Sequence, residues 1–168
     1  MIIVGIDPGL RATGFGIIRA EGGRLSLITA GDIQPLPKLP LANRLAIIHD
    51  ELEQLFKLYR PAVAVLEKVF AHHKHVMTAT LMAHARGVAC LAAQEQGVSV
   101  EEYLPTRIKH ALTGSGNASK EQVARMVVQW LGKGDAGWSR DATDALALAI
   151  AQAHISASRQ NLAAGMAR

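Results

Sequence analysis

Four carboxylates in this chain stand where chemistry explains them better than structure does. Asp7 closes the apolar run Ile2–Ile6 and is followed at once by Pro8-Gly9, and Glu67 closes a second run, Ala62–Leu66. If these runs are parallel neighbouring strands, both acids emerge at one edge of the sheet, where open α/β sheets hold their sites. Asp141 and Asp144 are spaced i, i+3 in a helical segment and therefore share a face. Packed against that edge, the helix would gather four acids. Like charges so close repel, and hard divalent cations bound through oxygen are the usual way to stabilise them. Two Mg²⁺ ions about 4 Å apart would activate a water and stabilise the leaving oxygen of a phosphodiester, which is nuclease chemistry.

Each acid also has a structural reading. An Asp before Pro-Gly forms turns, and Asp141, just after Gly137-Trp-Ser-Arg140, can interact with its own helix N-terminus. Glu67 and Asp144 resist such readings. A charge closing a buried strand has few structural reasons to exist. Asp144 is followed by Ala-Leu-Ala-Leu-Ala-Ile150 on a nearly all-apolar helix, and buried acids need partners.

The elements that must position these residues are legible in outline. Ile2 to Asp7, Gly14 to Arg19 and a third run near Leu25 to Gly31 read as a three-stranded meander turned by Pro8-Gly9 and Gly22-Gly23. Three prolines between Gln34 and Pro40 make a loop. Leu41, Leu45, Ile48, Leu52, Leu55 and Phe56 then follow helical spacing until Pro61. The uninterrupted run Ala62–Leu66 reads as a central strand covered on both faces. An alanine-rich helix from about 76 to 96, a strand near Val98 to Leu104, and helices at about 119–131 and 140–157 complete the order. Ser119, with Gln122 three residues later, reads as a capping box. The order β-β-β-α-β-α-β-α-α predicts an α/β fold: a mixed central sheet of about five strands with helices on both faces. Residues 1–158 read as a single nuclease domain and 159–168 as a flexible C-terminal tail.

Composition agrees with one substantial core rather than two in 168 residues. The lone cysteine, Cys90, lies in an apolar run, so an intrachain disulfide is excluded and a buried thiol expected. No segment reaches about eighteen uninterrupted apolar residues and the N-terminus lacks a signal-peptide pattern, so a soluble, cytoplasmic protein without membrane association is expected. A net charge of +4 and a pI near 9.5 suit a polyanionic partner, and nucleic acid ranks ahead of membrane. Few aromatics argue against a broad base-stacking surface.

The segments Ile3 to Gly16 (IVGIDPGLRATGFG), Leu66 to Phe70 (LEKVF), Ala85 to Val88 (ARGV) and Asp141 to Ala147 (DATDALA) together resemble the RuvC family of bacterial Holliday-junction resolvases, in order along essentially the whole chain. The resemblance implies a ribonuclease H-like fold, a homodimer, and Mg²⁺- or Mn²⁺-dependent nicking of two opposed strands at a four-way junction. It also implies collaboration with the branch-migration proteins RuvA and RuvB. The family's four acidic ligands fall on Asp7, Glu67, Asp141 and Asp144. Its two basic residues near the scissile phosphate match Lys109 and Lys120, and an aromatic that works at the junction crossover matches Phe70. Without the resemblance, both lysines read as solvated surface residues and Phe70 as core.

The following loop departs from the family pattern in being rich in histidine. His72, His73, Lys74 and His75 are expected to contact phosphate; the histidine spacing fits neither a zinc finger nor a helical pair. Partial protonation would strengthen DNA binding below about pH 6.5. Gly114-Ser-Gly-Asn117 resembles a phosphate cradle weakly and reads as a flexible connector. Paired incisions require two active sites, hence a two-fold dimer. Met77, Leu81, Met82, Ala85 and Val88 are apolar positions on the helix at 76–96, part of which is expected to face the partner. Two rival functions share some of these features. Asp7-Pro-Gly with Thr13-Gly14 is similar to the first phosphate loop of actin-like ATPases, which usually need about twice this length. A non-cutting junction-binding module would keep the basic surface but have no need of four aligned acids.

Overall fold

The computed structural model describes residues 1–68, 76–132 and 137–166. Five strands form one sheet: β1 (Ile2–Asp7), β2 (Thr13–Glu21), β3 (Arg24–Ile33), β4 (Val63–Glu67) and β5 (Ser99–Tyr103), in the order β3-β2-β1-β4-β5. The first three make an antiparallel meander, and β4 and β5 run parallel to β1. The helices are α1 (Leu41–Tyr59), α2 (Val76–Glu95), α3 (Pro105–Thr113), α4 (Lys120–Leu131) and α5 (Arg140–Met166).

Period-two alternation along the central strands divides the core into two layers. Ile3, Val63 and Val65 point into a layer closed by α3, α4 and α5, where Ile108, Val127 and Leu146 are buried. Val4, Ile6, Ala64 and Leu66 point the other way, against Ile48, Leu52 and Phe56 of α1 and Ala85, Ala89 and Ala92 of α2. Central strands covered on both faces account for the unbroken apolar runs. Each fully buried valine, leucine, isoleucine or phenylalanine side chain contributes about 1.5–3 kcal/mol relative to exposure. The result is the ribonuclease H-like arrangement, a mixed five-stranded sheet with helices on both faces.

Several details differ from expectation. Helix α3 was not anticipated: it is short, begins with Pro105 in its first turn, and carries its buried residues, Ile108 and Leu112, as a single i, i+4 pair. Gly114 ends it at φ 76, and Thr113 Oγ1 donates to the Ser115 carbonyl, so this connector is hydrogen-bonded into the α3 terminus. Where a tail was expected after residue 158, α5 continues as helix to Met166; among the residues whose burial is described the last buried one is Ile155, and residues 157–160 are exposed. Cys90 is a free, half-buried thiol rather than a fully buried one. On α2, Ala85 is buried, Val88 packs on the core and Leu81 is exposed. Among the described residues no helix is long and apolar enough to cross a membrane.

Candidate active site

Strand register places one row of residues across the whole sheet. Gly14 pairs with Asp7 on one side and Asp32 on the other; Ile6 lies opposite Leu66, so Glu67 follows at the level of Asp7; and Glu67 pairs with Tyr103. Alternation turns these residues to the face covered by α5. That helix sits unusually low, because β1 and β2 present glycines beneath it. A Cβ on Gly14 would lie 2.2 Å from the Asp141 carbonyl oxygen, one on Gly5 1.9 Å from the Ala145 oxygen, and one on Gly16 2.7 Å from the Leu146 side chain. The backbone of α5 therefore rests on the sheet, and Asp141 and Asp144 are brought to Asp7 and Glu67.

Electrostatics register the gathering. Burial, followed by Asp144, Asp141 and Glu67, pushes the Asp7 carboxyl up to about 7, with Lys120 opposing. Glu67 is raised by burial and then Asp144, against Lys120 and Lys109. Asp141 is raised by burial, Asp32 and Asp144, against Arg140 and Lys120. Among the described residues Asp144 pairs with Lys120 Nζ at 3.4 Å, the lysine being mostly exposed. Among the described residues the carboxylates of Asp7, Glu67 and Asp141 make no hydrogen bond or ion pair, so their oxygens are free to act as donors to a hard cation. An all-carboxylate donor set suits a hard divalent cation. Among the described residues no three such side chains converge tightly enough to form a finished cage.

Other groups take the structural roles that Asp7 and Asp141 could have filled. The turn after β1 is tied by buried Thr13, whose hydroxyl donates to the Gly9 carbonyl at 2.8 Å and accepts from the Gly9 N–H at 3.3 Å. At the start of α5, Ser139 Oγ accepts from the Ala142 N–H at 2.9 Å and so caps the helix. Arg86 fixes the end of β4: one guanidinium nitrogen donates to the Glu67 carbonyl at 2.7 Å and another pairs with Glu102.

Both candidate lysines face the acids. Lys120 opens α4, which starts with the predicted Ser119–Gln122 capping box. A cleft of about 240 Å³ is lined by Glu67, Pro105, Lys109, Lys120 and Asp144. A second, of about 210 Å³, shares Lys120 and Asp144 and adds Trp138, Ser139 and Arg140. Phe70, His72, His73, Lys74 and His75 lie outside the described residues. Arg86, Asp32 and Ser139 are supporting residues that the sequence reading missed. The local clue to Ser139 was its position two residues before Asp141; Asp32 had none.

The sequence matches the family described as crossover junction endodeoxyribonuclease RuvC over residues 3–152. The crossover junction endodeoxyribonuclease RuvC of Bradyrhizobium diazoefficiens is 45% identical over 152 residues, 90% of this chain and 86% of the relative. That of Bordetella avium is 47% identical over 154 residues, covering 92% and 84%. The Thermus thermophilus RuvC structure superposes with a TM-score of 0.87 at 32% identity, covering 94% of this chain and 96% of that one. The same protein solved in complex with Holliday junction substrate superposes equally well, with a TM-score of 0.87. Yeast mitochondrial Ydc2, at 10% identity and a TM-score of 0.71, shares the fold. With sequence and structure in agreement over the segments that supply all four carboxylates, this chain belongs to the RuvC family of crossover junction endodeoxyribonucleases.

Proposed function

We propose that this chain is a structure-selective endodeoxyribonuclease that resolves four-way DNA junctions by paired symmetric nicks, in homologous recombination and DNA repair. The observation that carries this reading is the convergence of Asp7, Glu67, Asp141 and Asp144 from β1, β4 and α5 on one sheet edge, with Lys109 and Lys120 lining the adjoining cleft. The four carboxylates would hold Mg²⁺, two ions per site, with Mn²⁺ able to substitute. When bound, the metal supplies activation of the attacking water and stabilisation of the leaving oxygen. Asp7, pushed up to about 7, must release its proton to serve as a ligand, so acid competes with metal there. Lys109 and Lys120 hold the scissile phosphate against the acidic cluster. Phe70 stacks on a base at the crossover, and His72, His73, Lys74 and His75 contact phosphates beside it. A homodimer supplies the second site, and RuvA and RuvB deliver the junction in the cytoplasm.

The test is Asp144→Asn. Cleavage of a synthetic four-way junction should be lost while junction binding is largely retained; normal cleavage by this variant would rule out the proposed site.

A further inference from the structure

One hydroxyl joins the meander to the helix that carries two of the four acids. Ser139 Oγ donates to Asp32 Oδ1 at 2.7 Å and accepts from the Ala142 N–H at 2.9 Å. Thr143 completes the first turn, its hydroxyl donating to the Ser139 carbonyl at 2.7 Å. Asp32 itself is fixed in β3, paired with Gly14, and Gly14 is the residue on which the Asp141 backbone lies. The start of α5 is thus held from beneath by the glycine and from the side by the Asp32–Ser139 bond. These contacts bear on the backbone of Asp141 itself.

We propose that Asp32 and Ser139 are positioning residues for the metal site: Asp32, through the Ser139 hydroxyl, sets the placement of the first turn of α5 and with it Asp141 and Asp144. This rests on the metal-dependent reading above. An unrestrained serine could rotate away and leave the Ala142 N–H uncapped; the carboxylate orients its proton and keeps the lone pair on the helix. The half-buried setting of Asp32 and Ser139 favours a fixed geometry. Asp32 enters as the hydrogen-bond acceptor for the Ser139 hydroxyl.

Acceptor and charge can be separated. Asp32→Asn keeps an oxygen for the Ser139 hydroxyl and removes the charge; Asp32→Ala removes both. Mn²⁺ binding to the full chain should be measured by calorimetry at fixed pH, together with amide exchange at Ala142 and thermal unfolding without metal. Loss of an outer residue that orients ligands weakens metal affinity by about 10–100-fold. Asp32→Ala and Ser139→Ala should therefore each weaken Mn²⁺ binding about tenfold or more and speed exchange at Ala142. Asp32→Asn should restore both. Equal weakening in Asp32→Asn and Asp32→Ala would show that charge is what matters and overturn the proposal. Lowered thermal stability with wild-type Mn²⁺ affinity in Asp32→Ala would also overturn it, reducing the pair to a structural tie. If the wild-type chain binds no Mn²⁺, the metal-dependent reading itself fails, a pattern distinct from both.

Discussion

Replacing Gly14 with alanine adds one methyl group directly beneath the helix that carries half of the acidic cluster. The new Cβ would lie 2.2 Å from both the carbonyl carbon and oxygen of Asp141 and 2.8 Å from the Ala142 nitrogen. All three are backbone atoms, so no rotamer change relieves the clash. The contact must open by about 0.8 Å to reach the 3.0 Å below which real Cβ contacts essentially do not occur. Either β2 bends or the start of α5 lifts. Overpacking of this kind costs about 1–3 kcal/mol, which for a chain of this size lowers Tm by roughly 2–12 °C. The larger effect should be on chemistry, because a misplacement near 1 Å can reduce rate about 10²-fold. Single-turnover cleavage of a four-way junction, with junction affinity measured in parallel, gives the readout. The expected result is a rate about 10² lower with affinity largely retained. Wild-type rate and Tm in Gly14→Ala would refute the idea that a glycine trough seats α5.

Other substitutions and conditions have separate expectations. Gly87, exposed on α2 at ordinary φ with nothing within 4 Å of a built Cβ, should accept alanine with a gain of about 0.5–1 kcal/mol, measured by denaturant unfolding. Without metal, stability should fall as pH rises, because Asp7, Glu67, Asp141 and His49 are all raised and so bind a proton more tightly in the folded chain. The folded chain binds a proton at Asp7 more tightly than the unfolded chain, so Asp7 penalises folding as pH rises from the ordinary carboxylate range toward about 7. His49 is held above its ordinary value by hydrogen bonds to Asp50 and Glu95; its contribution is fully present below about 6.5 and is lost as pH rises through the folded value. In EDTA, Asp7→Asn should flatten the lower part of that profile and His49→Gln the upper; unchanged profiles would contradict both assignments. Thr13→Val should cost about 0.5–1.5 kcal/mol by removing the hydrogen bond to the half-buried Gly9 carbonyl, as seen by thermal unfolding. If the histidine loop touches phosphate, junction affinity at fixed salt should be higher at pH 6 than at pH 8.

What the sequence disclosed follows from the range of the interactions involved. Asp7 and Glu67 were legible because each ends an unbroken apolar run, and two such runs lie side by side in parallel. That Asp141 and Asp144 share a helix face was legible from their spacing, while Asp141 kept a helix-terminus reading until the resemblance was added. The Ser119–Gln122 box is local and was read correctly. By contrast, the bond from Ser139 to Asp32 spans 107 positions in sequence. Gly5, Gly14 and Gly16 each look like ordinary strand glycines; only the register pairing Gly5 with Gly16, and Gly14 with Asp7, shows them as one trough. Helix α3 escaped notice because two buried residues make too short a period to distinguish from loop. The resemblance to a family assigned roles to Lys109 and Lys120 that charge patterning alone could not. The structure adds that both line the cleft containing Glu67 and Asp144.

Metal-dependent resolution of a branched substrate can be tested by mapping nicks. The chain is incubated with a synthetic four-way junction and with a matched linear duplex, each in Mg²⁺ and in EDTA, and the cut positions are read on all strands. Symmetric nicks on two opposed strands of the junction, in Mg²⁺ only, with the duplex intact, is the predicted result. Cleavage in EDTA, equal cutting of the duplex, or no cutting of a junction that the chain binds would contradict it.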